Sequence, residues 1–589
     1  MRTLVSPGYS NAAEALAPSS ERTIEFLGLN RKPVITDGEM PDMWNMCSDG
    51  YPMLLPRRPR GEYVINEHIK KPLNIVMKFD RLAVIAMDDE DNINFYYDKV
   101  KVPSVTGLTE ATFMVPINTK ICFFPQKTYL EIRSTDIGTE IGDFGHLEEL
   151  VEIDDESPVT VTATLDDTRI VLTEAHDFAY DDVISISGYL SYTDADNAAH
   201  TDEEAEASCV VDGVDGNTLV LPANTFLDLT GATDITFYGT IERSFPKDSL
   251  GESVTLDHVI EWNNRLWGVS SRENAIFASK LGDPKNWQYY QSTAADSYYA
   301  QQGTDGRWTG CAPYSSHIVF FKQNSITKIY GTSPSNFQIV NIQCYGLQQG
   351  SKRSAVSIND RIFYKSVVGI MVYDGGVPYC ISDKLNSTFK NVVGGTEGLK
   401  YYASVQNKKG GFELLVFDIE KGVWHKEDAT RYQDTCNVDN KMYYVTHTAE
   451  SLKCSNDVIT SDWTICGSGA SSTGHIGIIN PDNYSESYNE ISWRAVFGPF
   501  DEFIENKKIY SRILIRLLRN ADSEAHVYIS ENEGEWEKVY DFDPAKTGGD
   551  YIPIIPRRCD RYSIKVEGKG NCGIKSLTRR VRGGTGGRL

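Results

Sequence analysis

Short apolar runs alternate with polar turns along nearly the whole chain, and their period is that of strands rather than helices. Val159-Thr160-Val161-Thr162-Ala163-Thr164-Leu165 places every second residue on one face. Ile170–Leu172 and Val183–Gly188 read as further strands, and Thr218–Leu221 with Ile235–Tyr238 would complete a small β-domain. Downstream the pattern becomes a loose repeat. His317–Lys322 turns into Ser325–Gly331, Arg361–Lys365 leads to Gly369–Gly376, and Phe412–Asp418 turns at Glu420–Gly422 into Val423–Lys426. Arg265–Val269 with Ala275–Ala278, and Lys441–Val445, have the same form. So does the early pair Arg81–Met87 and Ile93–Tyr97.

Successive units lie roughly 30 to 50 residues apart, the spacing of propeller blades. The expected fold is mainly β: a β-propeller-like body, an inserted β-domain and a C-terminal β-sandwich. An irregular stack of β-sandwiches is the alternative. The expected limits are an N-terminal arm over 1–60, first propeller blades over 61–135 and an inserted acidic β-domain over 136–245. Remaining blades would occupy 246–475, a C-terminal β-sandwich 490–578 and a flexible basic tail 579–589. The sandwich rests on Arg512–Arg519, His526–Ser530, Trp536–Tyr540 and Tyr562–Val566, all strand-like.

Composition narrows the functional classes. With 589 residues, 40% hydrophobic and 24% charged, the chain has the make-up of a folded protein of several domains. No run approaches the ~18 apolar residues of a membrane helix, so no membrane span is expected. Lys and Arg total 58 against 82 Asp and Glu, a net charge of −24 that would repel phosphate on average. The acidity is concentrated: between Asp136 and Asp215 there are 23 acidic side chains and one basic one, Arg169. Glu152, Asp154, Asp155, Glu156, Glu203 and Glu204 are candidates for an acidic channel wall, or for a merely solvated surface. The 11 cysteines are scattered without a C-x-x-C pair, so they read as small buried hydrophobes. Asp194-Ala195-Asp196-Asn197 lacks the Gly and terminal Glu of a calcium loop. No metal and no cofactor is expected.

Several segments carry a resemblance. Trp262-Asn263-Asn264-Arg265-Leu266-Trp267-Gly268, then Ile276–Ser279 and Gly282-Asp283-Pro284-Lys285-Asn286-Trp287, resemble a segment of tail-hub and nozzle proteins of tailed bacteriophages. That group includes tubular tail proteins and packaged-DNA stabilisation proteins. Met46–Pro52 with Pro56-Arg57-Arg58-Pro59-Arg60, the blade ending Tyr373-Asp374-Gly375-Gly376, and Ile554–Asp560 resemble stretches of phage virion proteins. The likeness is strongest over 257–385, and its motifs are structural words of a fold. It implies a homo-oligomeric ring, commonly a hexamer, below the portal and adaptor, through which double-stranded DNA passes without tight binding. It also implies assembly in the host bacterial cytoplasm and a final place in the virion tail.

Enzymatic readings find less footing. Propellers host glycosidases that use paired carboxylates or a Tyr nucleophile. Ser530-Glu531-Asn532-Glu533-Gly534-Glu535-Trp536 imitates an Asp-box once, and reads as a hairpin turn. No P-loop, H-E-x-x-H or G-x-S-x-G occurs. The expectation is therefore a structural virion component that is not an enzyme. A receptor- or carbohydrate-binding tail propeller and, further off, a glycan-degrading tail enzyme stand as alternatives, the first favoured by 32 Tyr and 9 Trp able to stack on sugars.

Overall fold

The computed structural model describes residues 19–65, 69–135, 138–226, 229–438, 441–446, 475–501, 507–520, 522–543, 549–552, 554 and 558–583. They are almost wholly β: strands joined by turns, with four three-residue 3₁₀ turns and no α-helix among the described residues. Two compact units are formed: residues 1–64, 368–371 and 379–589 make one, and 65–367 with 372–378 the other.

The described residues build seven four-stranded antiparallel sheets, the strand pattern of propeller blades. In the second unit, blade 1 is Lys71–Lys78, Arg81–Met87, Ile93–Tyr97 and Val100–Lys101. Blade 2 is Phe113–Ile117, Lys120–Phe124, Thr128–Thr135 and Gly138–His146. Blade 3 runs from His258 to Gln301 and blade 4 from Trp308 to Gln343. Neighbouring blades share apolar cores. Phe95 of blade 1 meets Phe123 of blade 2 edge-on at 5.3 Å, and Trp267 of blade 3 packs with Phe320 of blade 4. Blade 5 is Val356–Ile358, Arg361–Lys365, Ile370–Tyr373 and Tyr379–Cys380.

In the first unit, blade 6 is Val392–Lys426 and blade 7 is Tyr432–Val438, Lys441–Thr446 and His475–Ile479. The fourth strand of blade 7 comes from the other end of the chain: Gly61–Tyr63 pairs with Ile476–Ile478. Residue 61 therefore closes the last blade instead of opening the first.

The insertion is one eight-stranded sheet from Glu149 to Arg243, centred on Thr233–Arg243 and Val183–Thr193. It has its own apolar core, including Ile186, Leu190, Phe237 and Ile241. Its expected start at 136 is corrected to about residue 149, because Gly138–His146 pairs with Thr128–Thr135 as the outer strand of blade 2. That strand carries few apolar residues, so its membership is set by backbone pairing and leaves no mark in the hydrophobic pattern.

The C-terminal sandwich holds two five-stranded sheets. One orders Ser19–Thr23, Cys572–Gly583, Lys508–Arg519 and Gly549–Ile552, with Arg558–Cys559 also on Lys508–Arg519. The other orders Asp42–Trp44, Ser492–Phe500, Tyr562–Lys569, Glu524–Glu531 and Glu537–Asp541. Tyr510 of the first stacks on Tyr562 of the second with centroids 3.9 Å apart, inside a core of alternating inward residues such as Ile513, Ile515, Trp493 and Val527. Two expectations are corrected here. The N-terminal arm supplies a strand to each sheet, and the basic tail expected from 579 is a strand as far as Gly583, with Arg579 buried. Residues 584–589 lie outside the described residues, as do 555–557 of the segment Ile554–Asp560.

Candidate functional site

The residues that carried the resemblance fold into a socket that holds the acidic insertion. Asn263 and Asn264 both take positive φ (52° and 60°), as a two-residue hairpin turn requires, and Asn tolerates this better than other non-Gly residues. The turn delivers Arg265 and Trp267 into the blade. Arg265 is buried and donates to the carbonyls of Ser279 (2.8 Å), Ala294 (2.7 Å) and Asp296 (2.5 Å), pinning the loop before Tyr298. Leu266 and Trp267 are fully buried, and the Trp267 indole donates to Trp262 O at 3.2 Å. A side chain at Gly268 would meet Leu256 Cδ1 at 2.5 Å, so that strand position has no room for a Cβ.

Gly282 turns the chain with φ 79°, and Asp283 caps the turn by accepting from Lys285 N at 3.0 Å. Trp287, buried, donates to Pro284 O at 2.7 Å and packs on Phe245. The two residues between reach into the insertion: Asn286 Oδ1 accepts from Val183 N at 2.9 Å, and Lys285 Nζ lies 3.3 Å from Asp182. Asp182, also buried, pairs with Arg243 at 2.6 Å, and Arg243 further donates to Asp177 O and His146 O, each at 2.8 Å. Burial opposes the charge on Arg243, but Asp182 and Asp177 outweigh it and raise its pKa. The desolvated Arg243–Asp182 pair is internal to the insertion, which is joined to the blades by Arg243 on His146 O of blade 2 and by Lys285 and Asn286 of blade 3. Sequence reading missed Arg243 and Asp182, since a lone Arg 61 residues from its partner makes no motif.

The Asp374-Gly375-Gly376 turn is likewise architectural. Gly375 takes φ 98°, and its carbonyl accepts from Lys328 Nζ at 2.7 Å. Gly376 N donates to Asp374 Oδ1 at 3.3 Å. In the first unit, Pro56–Arg60 supplies a second buried ionic cluster. Arg57 binds Glu486 through both terminal nitrogens (2.7 and 3.2 Å), and Arg60 binds Glu427 at 2.7 Å and Asp428 at 2.8 Å. Burial works against ionisation of Asp428 and Glu486, yet the two arginines hold both carboxyls below their usual range.

The six acidic candidates are all exposed, but the fold does not bring them together. Glu152 and Glu204 lie on the outward face of the insertion sheet, in register with Thr240 and Tyr189. Glu203 sits opposite the core residue Leu190 and so has the other parity, while Asp154, Asp155 and Glu156 form the turn after Glu149–Ile153. Asp194 folds its loop around its own side chain, accepting from Asp196 N (2.9 Å) and Ala198 N (2.8 Å). Of nine described cysteines, Cys47, Cys122, Cys559 and Cys572 are buried as expected, whereas Cys380 is exposed. The Asp-box-like segment is a hairpin turn with Asn532 and Glu533 both at positive φ.

Among the described residues, grooves large enough for a ligand include two on the blades and the sandwich. One, of 530 Å³, is lined by Arg81, Tyr97, Asp98, Lys101 and Thr139 of blades 1 and 2. The other, of 390 Å³, lies on the sandwich, where Trp44, Arg494, Glu567 and His526 sit directly opposite one another on four adjacent strands. No group of three or more potential metal ligands occurs among the described residues.

No protein-family model matches the chain, and no curated protein does. Among solved structures it is similar to the computationally designed protein Ika8 at 8% identity over 71% of this chain and 100% of that one, TM-score 0.30. The WD40 domain of SCAP from fission yeast matches at 8% identity over 70% and 95%, TM-score 0.24. PorZ, a surface component of the type-IX secretion system of Porphyromonas gingivalis, matches at 11% over 89% of each chain, TM-score 0.27. Likenesses this low carry no argument, and the fold rests on the strand pairing itself.

Proposed function

We propose that this chain is a structural virion protein of a bacteriophage tail, a nozzle or hub below the portal and adaptor. It forms part of the DNA conduit, retains the genome and passes it at ejection. The observation that carries this reading is the use made of the resembling residues. Arg265, Trp267, Lys285, Asn286 and Trp287 are committed to holding blades together and seating an acidic domain on them. In this reading the chain assembles in the host bacterial cytoplasm as a ring of about six copies, because heterologous contacts between identical subunits close into rings. The net charge of −24 suits a conduit, because on average it disfavours tight binding of phosphate and leaves DNA free to move. The mass and symmetry of particles formed by the purified protein test the reading. A closed ring is expected; a protein that stays monomeric at the concentrations of assembly contradicts it.

A second reading, carbohydrate binding, is favoured by the Trp44–Arg494–Glu567–His526 groove, where an indole adjoins charged groups able to bind hydroxyls. A glycan array separates the two, since a pure conduit binds nothing specific. Cleavage of a bound polysaccharide, lost in Glu567→Gln, would make the groove an active site instead.

A further inference from the structure

In a chain of net charge −24, the charged residues paired across one sheet face are all basic. The strand pairs Arg512–Arg580 and Leu514–Thr578, with Ser20 and Arg22 opposite Arg580 and Thr578, define the outward side of the first sandwich sheet. Arg516 and Arg582 continue it, and all five of these arginines are exposed. Their pairing register alternates with the buried Ile513, Ile515 and Leu577, so the arginines point outward, sharing that face with Leu514, Leu518, Thr578 and Tyr551. No paired position of this face holds an Asp or Glu, and none of the five arginines forms an ion pair among the described residues. Exposed apolar groups flank them: Leu518 is 43% exposed and Tyr551, under the Arg512 guanidinium, is 61% exposed.

The insertion sheet presents the opposite. Its outward register carries Glu204, Glu206, Glu152 and Glu242, again with exposed apolar groups between, Leu150 (55%) and Tyr189 (43%). The strand Ala199–Val210 that bears Glu204 and Glu206 is a free edge of its sheet. Two faces of opposite charge, each with exposed apolar groups beside the charges, have the make-up of complementary interface patches. Ten residues at ~3.3 Å and strands ~4.8 Å apart make the basic face about 30 by 15 Å. That footprint of roughly 450 Å² is a little over half of the ~800 Å² per partner of a standard interface, so the contact is a small one.

We propose that the basic sandwich face of one copy docks on the acidic insertion face of a second copy, making the heterologous contact that builds the ring. This rests on the ring reading above and names its contact. The interspersed Leu and Tyr favour a protein partner over a phosphate backbone, which would leave them unburied.

The test is charge exchange in the full-length protein, with folding of every variant checked by circular dichroism. R512E/R580E alone and E204K/E206K alone should each lower the assembled fraction at least about tenfold. Mixed one to one they should recover assemblies of alternating subunits, since both native and both reversed faces then meet. If wild type forms rings and neither variant alters them, this contact is refuted while the ring reading survives. If wild type never self-associates, both fall. Binding of a duplex oligonucleotide by wild type that R512E/R580E abolishes, with rings intact, would assign the face to nucleic acid instead.

Discussion

The insertion sheet and the first sandwich sheet solve the same problem with opposite charge. Each has a row of apolar residues inside, one arginine turned inward, and a charged outer face. In the insertion the inward residue is Arg243, pinned by Asp182; in the sandwich it is Arg579, held by Asp37 at 3.0 Å and Thr23 at 3.1 Å and stacked on Phe500. The difference lies in what the ion pair spans and how wet it is. Asp182 is fully buried, whereas the Asp37 side chain is 45% exposed. Inward charge therefore fixes each sheet to its surroundings, and outward charge is left free for a partner.

The largest effect expected follows from that contrast. Arg243→Met should cost about 3 kcal/mol, because it leaves the buried Asp182 with Lys285 as its remaining partner and takes the donor from Asp177 O and His146 O. Hydrogen exchange should show protection lost across Glu149–Arg243 while the sandwich strands keep theirs. Arg579→Met should cost only about 1–2 kcal/mol, since Asp37 can be hydrated once released. Equal losses in denaturant titrations of the two variants would break the comparison.

Local hairpins were legible in the sequence because both strands and the turn lie within some fifteen residues. Phe412–Asp418 with Val423–Lys426 is one case, and His317–Lys322 with Ser325–Tyr330 another. What escaped reading was long-range. Asp42–Trp44 pairs with residues 494–496, and Gly61–Tyr63 with 476–478, with nothing in either short segment to name its partner. The polar strand Gly138–His146 was taken into the insertion for want of a hydrophobic face. The site fared similarly. Trp267, Trp287 and the Asp374-Gly375-Gly376 turn could be singled out as motifs, but the Asp182–Arg243 pair and the basic outer face exist only once register is known.

Smaller effects test the outer faces and the titrating groups. Glu204→Lys and Arg512→Glu should each change folding free energy by no more than ~0.5 kcal/mol, because both side chains are exposed and neither is buried against a partner in the chain. Urea titrations check this, and a larger loss would mean that the faces serve the fold itself. The two regions flanking blade 3 should also differ in sign with pH. His200 of the insertion, hydrogen-bonded to Asp194 and near Glu203, titrates above the ordinary 6.5. Its contribution is present below pH 6.5 and lost as pH rises through its folded value. His317 of blade 4, buried and facing Lys328, is lowered to about 4. Its contribution is complete above pH 6.5 and is lost as pH falls from there toward about 4. Proton chemical-shift titration of the two imidazoles, with midpoints on opposite sides of 6.5, is the expected result.

The proposed conduit role meets its most direct test in an image reconstruction of the intact particle. The account predicts copies of this blade-and-sandwich fold arranged as one ring around the DNA path, with the insertion of each copy against the sandwich of the next. A particle without this protein, or with a single copy set off the axis, would contradict it.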